Sequence, residues 1–161
     1  MKRIFLIVLT LLMLLPCMAQ AADPVITSDV RTFNPLKGEY TLKGNVFVQL
    51  TPHDQTLTIT GDYTTVMVYS MEVHGSGNIH LTYGDLNFTC DKTDVYHSSR
   101  TAFVEGNLSF QDGSTVITAE KGSFCWKTKL ATFHGNVVAN GTPYKQDIQY
   151  NVNTKEILAA K

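Results

Sequence analysis

From residue 25 onward the chain is written in short alternating runs separated by polar turn clusters. Val46-Phe47-Val48-Gln49-Leu50 places Val46, Val48 and Leu50 on one face. Ile79 and Leu81 hold the same places further on, then Leu108 and Phe110, then Val137 and Ala139. A two-residue apolar period marks a strand with one buried face. The runs are also rich in Thr, Val, Tyr, Phe and Ile, which favour strands. No helical period is present beyond Ala21. Turns are predicted at Asn34-Pro35-Leu36-Lys37-Gly38, His97-Ser98-Ser99-Arg100 and Lys127-Thr128-Lys129 on one side of each unit. Tyr83-Gly84-Asp85 and Gln111-Asp112-Gly113-Ser114 mark the other side, with Thr51-Pro52-His53-Asp54-Gln55 as a longer version.

The pattern recurs in register. Ile26-Thr27-Ser28-Asp29 returns as Ile59-Thr60-Gly61-Asp62, Phe88-Thr89-Cys90-Asp91 and Ile117-Thr118-Ala119-Glu120. Each tetrad is followed at one fixed offset by Gly-Asn: Ile26 by Gly44, Ile59 by Gly77, Phe88 by Gly106 and Ile117 by Gly135. The first unit is slightly longer than the next two, which are equal. Units of this size cannot bury an apolar face alone and must stack. In Gly-Asn the residue order is the reverse of the common two-residue hairpin turn. Lying inside alternating runs, it predicts a bulge or sharp bend at which the inward parity changes. The acids ending the tetrads, Asp29, Asp62, Asp91 and Glu120, are expected as a solvated outer row screened by Lys92 and Lys121.

Aligning the copies yields an inner face. Val46, Val48, Ile79, Leu81, Leu108 and Phe110 follow the glycines, and Phe88 opens its tetrad. Val66 and Phe124 come seven residues after their tetrads begin, with Val68 and Trp126 two further on. Val104 is chosen over Phe103 because its parity matches Leu42 and Phe133, which is also inner. A sheet with one apolar face and no helices must close on itself as a sandwich, jelly roll or solenoid. Its interior is either a dry core or a slot wide enough for acyl chains; residue types alone suit both.

Composition changes this picture at the start of the chain. Lys2 and Arg3 precede an apolar run from Ile4 to Leu15, and Ala19-Gln20-Ala21 is a small-residue cleavage site. Residues 1–21 read as a secretory signal peptide, leaving residues 22–161 as one domain of about 140 residues. Cys17 is an alternative lipoprotein acceptor, but Pro16 stands where such signals place a small residue. Loss of Lys2 and Arg3 shifts the formal charge from −1 to −3, which gives no basic footprint for nucleic acid. Export permits a disulfide. Cys90 and Cys125 occupy different repeat positions, however, and buried free thiols are expected.

Candidate chemistry is sparse. The five histidines show no metal-ligand spacing, and no nucleophile elbow, phosphate loop or zinc-helix motif is present. No catalytic, cofactor or metal residue is assigned, and the chain is not expected to be an enzyme. Asn87-Phe88-Thr89 and Asn107-Leu108-Ser109 match a glycosylation sequon, but both fall in strands.

The repeated Ile-Thr-x-acid, aromatic or Val, turn, strand and Gly-Asn order resembles the OstA-like domain family. The run Ile117-Thr118-Ala119-Glu120-Lys121-Gly122-Ser123-Phe124 through Phe133-His134-Gly135-Asn136-Val137-Val138 carries it best, and the likeness spans about 26–158. A stand-alone periplasmic member of the LptA type is implied. The resemblance implies an open, twisted antiparallel β-jelly roll whose inner face shields the acyl chains of lipopolysaccharide between the inner and outer membranes. It also implies end-to-end pairing, with further copies or with OstA-like domains of membrane partners. The residue-based alternative is an exported structural or adhesive β-repeat protein with a dry core.

Overall fold

The computed structural model describes residues 25–51 and 55–159. The segment read as a signal peptide and the turn residues Pro52, His53 and Asp54 lie outside them. The described residues form thirteen strands and no helix. Seven carry most of the sheet: β3 (Glu39–Leu50), β4 (Leu57–Met67), β5 (Glu72–Tyr83), β6 (Leu86–Tyr96), β7 (Thr101–Asp112), β8 (Thr115–Cys125) and β9 (Leu130–His134). β1 (Val25–Thr27) and β2 (Val30–Asn34) both pair with β3. At the far end β12 (Ile148–Asn151) joins β9 to β13 (Glu156–Ala159). A side branch, β10 (Val138–Ala139) with β11 (Thr142–Pro143), hangs on β8. All pairings are antiparallel and the sheet does not close. The expected open, all-β jelly roll is therefore the observed architecture.

Strands of 11 or 12 residues are too long to lie flat in a compact body, and each bends at its middle. The bend is the Gly-Asn pair. Gly44, Gly77, Gly106 and Gly135 have φ between 71° and 80°, and the asparagines after them between 45° and 48°. Two left-handed residues in succession turn a strand sharply, which glycine tolerates freely and asparagine better than most residues. Lys43 pairs with Tyr63 and Val46 with Gly61, so Gly44 and Asn45 together oppose Asp62 alone. The same two-against-one bulge recurs between Ser76 and Ile79 and between Glu105 and Leu108. Alternation nevertheless runs unbroken through Gly-Asn, for Leu42, Val46 and Val48 are all buried. Parity changes instead on the facing strand, which has one residue fewer: Ile59 is buried before the acid, Thr64 and Val66 after it.

The tetrad acids are not a free outer row. Asp29 accepts a hydrogen bond from the side-chain amide of Asn45 at 2.9 Å, Asp62 from Asn78 at 2.7 Å, Asp91 from Asn107 at 2.8 Å and Glu120 from Asn136 at 2.5 Å. Lys121, expected to screen these acids, pairs with Glu105 at 2.8 Å. The carboxylate also lies over the glycine: a Cβ on Gly106 would sit 2.5 Å from Asp91 Oδ2.

The bends divide the sheet into two half-sheets that face each other. Tyr83, Phe88 and Phe110 lie on one, Phe124, Phe133 and Tyr150 on the other. Ring centroids of Tyr83–Phe124, Phe88–Phe124, Phe110–Phe133 and Phe110–Tyr150 are 5.3–5.9 Å apart. Gly106→Ala should therefore destabilise the protein by about 1–3 kcal/mol through strain at positive φ and the clash with Asp91. Asn107→Ala should cost about 1 kcal/mol for the lost hydrogen bond. Urea unfolding midpoints measure both, and unchanged midpoints would contradict the corner assignment.

Candidate functional site

The inner face is continuous across both half-sheets. Val46, Val48, Val66, Ile79, Leu81, Phe88, Val104, Leu108, Phe110, Phe124, Trp126 and Phe133 are each 0–7% exposed. Phe103, rejected on parity, is 48% exposed. Val68 does not belong to this face and is 44% exposed. It lies just beyond β4, in the turn, where its amide donates to the Gly38 carbonyl at 2.8 Å. Trp126 holds the equivalent place but is long enough to reach across, its ring 6.5 Å from that of Tyr83. A valine cannot bridge that gap.

Other members of the face were legible only in part. Ile59 and Ile117 are buried and align with Phe88 at the head of their tetrads, so the repeat itself marks them. Tyr83, Tyr150 and Asp112 are also buried, and nothing local to them announces it. Asp112 is covered because Tyr150 donates to it at 3.0 Å and Lys155 reaches both its oxygens. These residues come from opposite half-sheets, on the side away from the Gly-Asn corners, and close the mouth between them. Lys129 makes a similar contact one unit earlier, donating to the Tyr83 hydroxyl at 3.1 Å.

The twelve inner-face side chains are buried among the described residues, and two hollows, of about 220 and 310 Å³, lie on the outside. The smaller is lined by Phe103, Asp94, Glu105, Lys121 and His134, among others. Its acids are paired: Asp94 meets His74 Nδ1 at 2.7 Å, and Glu105 meets Lys121. The hydrogen bond and charge of Lys121 hold the Glu105 carboxyl below its usual range, which suits a structural ion pair rather than a proton donor. Among the described residues no three His, Cys, Asp or Glu side chains are grouped to hold a metal ion. Cys90 and Cys125 are unbridged. Burial pushes the Cys90 thiol up to about 11. At Cys125 burial acts in the same direction, but hydrogen bonds involving Thr128, the Lys127 backbone and Thr101 outweigh it and hold the thiol below its ordinary value.

The architecture has solved counterparts. LptH, described as the LptA-homologous periplasmic component of the conserved lipopolysaccharide transport device from Pseudomonas aeruginosa, superposes with a TM-score of 0.57. The match covers 64% of this chain and 76% of that one at 11% sequence identity. The fold is LptA-like. No family model matches the sequence, and no curated protein does. A shared fold at 11% identity is physically unsurprising, since apolar inner positions tolerate exchange when volume and period are kept.

The closure at the mouth titrates at high pH. The hydrogen bond to Asp112 raises the Lys155 ammonium above its ordinary value, and burial raises the Tyr150 phenol. A raised lysine contributes stability below its unfolded pKa and loses it as pH rises through the folded value. A raised tyrosine acts in the same direction, because only the unfolded state ionises at first. Melting temperature should therefore be flat to about pH 9 and fall from about pH 10. Tyr150→Phe should reduce the fall, and a wild-type-like alkaline profile in that variant would argue against the coupling.

Proposed function

We propose that this chain is a periplasmic carrier of lipopolysaccharide, exported through a cleavable signal peptide, that shields acyl chains between its two half-sheets. One observation carries the reading: an apolar face shared by two half-sheets that are hinged along one side and, among the described residues, joined along the other by side chains alone. The likeness to LptH supports it. Acyl chains need no catalytic group, only apolar surface, worth roughly 25 cal/mol per Å² buried. The half-sheets part at the mouth to admit the chains. The closed interior is what a dry-core structural repeat would also present, so that reading is the alternative to be tested.

The test is site-specific. A photo-crosslinking residue at Phe110 or Trp126, on protein shown to be folded, should capture lipopolysaccharide. The same residue at Lys121, 60% exposed on the outer face, should not. Titration with lipopolysaccharide against a phospholipid control should show saturable binding of the former. Equal labelling from both faces, or none, would support the dry core.

Partners would dock at the sheet ends. Among the described residues β1 and β2 pair only with β3, and β13 only with β12. The C-terminal edge is β13 alone, because β12 is covered on both sides. Val30 and Leu158, on the edge strands, are 55% and 41% exposed. Open apolar edges are templates for strand addition. End-to-end association with itself, and with similar domains of inner- and outer-membrane partners, follows from this reading. A charge on an edge strand blocks such pairing. Leu158→Lys should leave the thermal melt within a few degrees of wild type and abolish concentration-dependent light scattering; identical association in both proteins would place the interface elsewhere.

A further inference from the structure

The mouth has a built chemistry of its own. Six residues after successive corner glycines stand Leu50, Tyr83 and Asp112, on one lip. On the other lip the last residue of each hairpin turn is left-handed; Gly38 and Met71 hold that place in the first two turns, and cations in the last three, Arg100 at φ 56°, Lys129 at 58° and Lys155 at 58°. The turns are stitched together, Trp126 N–H donating to the Arg100 carbonyl at 3.0 Å and Val152 N–H to the Lys129 carbonyl at 2.9 Å. Consecutive cations are therefore two strands apart, roughly 10 Å per step. Lys129 lies 4.7 Å from the Tyr83 ring centroid and donates to its hydroxyl. Lys155 is held by Asp112, a carboxylate only 4% exposed. Beside Tyr83, the indole N–H of Trp126 is buried and finds no partner among the described residues.

A dry core needs none of this. Leu50, at the position of Asp112 in an earlier unit, fills the lip without a charge, and burying a carboxylate is costly even when it is paired. An indole N–H left without a partner among the described residues adds a further cost. A row of cations, one already neutralised from within, and an unused donor at the entrance to an apolar interior together describe a receptor for an anionic head on acyl tails. Phosphate suits it best, because its several charged oxygens can engage two donors at once.

We propose that Arg100, Lys129 and Lys155 form a phosphate-binding lip for acylated cargo, and that Asp112 is the internal occupant that a phosphate displaces from Lys155 as the chains enter. The proposal rests on the lipid-carrier reading and adds to it the polar half of the ligand and the order of events. Arg100 and Lys129 capture phosphate at the closed mouth. Exchange at Lys155 then releases the contact that ties the half-sheets together at the C-terminal end.

Trp126, the single tryptophan, reports binding by its fluorescence. The probes are a bisphosphorylated acylated disaccharide, its phosphate-free counterpart and inorganic phosphate, each titrated into folded protein. The phosphate-free lipid should bind wild type roughly tenfold to a hundredfold more weakly, the worth of a hydrogen bond to a charged group. Lys129→Gln, whose lost partner is a neutral hydroxyl, should weaken the phosphorylated lipid by a similar factor and leave the phosphate-free one unchanged. Asp112→Asn should tighten the phosphorylated lipid severalfold, because Lys155 is no longer occupied; a purely structural role predicts no gain. Equal binding of both lipids to wild type, with Lys129→Gln silent, would overturn the lip and leave the carrier reading standing. Binding of neither lipid would overturn both. Saturation by inorganic phosphate at the concentrations that saturate with lipid would make this a free-anion site and refute the proposal.

Discussion

The architecture depends on one repeated corner. A glycine and an asparagine take up left-handed backbone, and the asparagine amide holds an acid 16 residues earlier in the chain. The parts are interdependent. Glycine supplies the conformation and the room for the carboxylate, and the carboxylate fixes the asparagine. The bulge shifts alternation on the facing strand so that apolar side chains point inward on both sides of the bend. Without it each strand would be straight, and a twisted sheet with one apolar face would lie open to water. Four such corners lie in line across the described sheet, which places the fold line on one side and leaves the other side to be closed by side chains.

That asymmetry gives the fold its character. Along the hinge the half-sheets are joined by continuous backbone and ladder hydrogen bonds. Along the mouth they meet through ring contacts and through the Lys129–Tyr83 and Lys155–Asp112 pairs. Side-chain contacts can be exchanged for contacts with a ligand, whereas covalent hinges cannot. The charged pair sits toward the C-terminal edge, where among the described residues Lys155 and Tyr150 balance the buried carboxylate of Asp112. The ends of the sheet are a third kind of surface, because an open sheet leaves backbone groups unpaired at each edge strand. Hinge, mouth and edge are thus separate by position and by chemistry.

Much of this was legible in the sequence. Strand type, repeat length, the place of the bends and the apolar inner face follow from alternation and from the fixed offset between tetrad and Gly-Asn. Both are local properties that survive in any copy of the unit. The choice of Val104 over Phe103 is of this kind. The purpose of the tetrad acids was hidden, because an exposed acid and an exposed asparagine on different strands give no sign that the chain brings them together. The parity shift was assigned to the wrong strand for a related reason: a bulge is a property of two paired strands, and a sequence displays them one at a time.

Tertiary structure alone decided the rest. Val68 and Trp126 occupy equivalent positions, yet one is exposed and the other buried, because burial at the lip depends on reaching the opposite half-sheet. Asp112 reads as a turn acid and becomes a buried ion-pair partner only when Lys155, 43 residues later, folds over it. Which strand forms the C-terminal edge was settled by the return of β12 onto β9. The sequence by itself determined what each unit is made of and which face it buries, since these rest on periods of two residues and one repeat. How the units close over one another was left to the folded chain, because the mouth is built from residues that become neighbours only after the corners have turned.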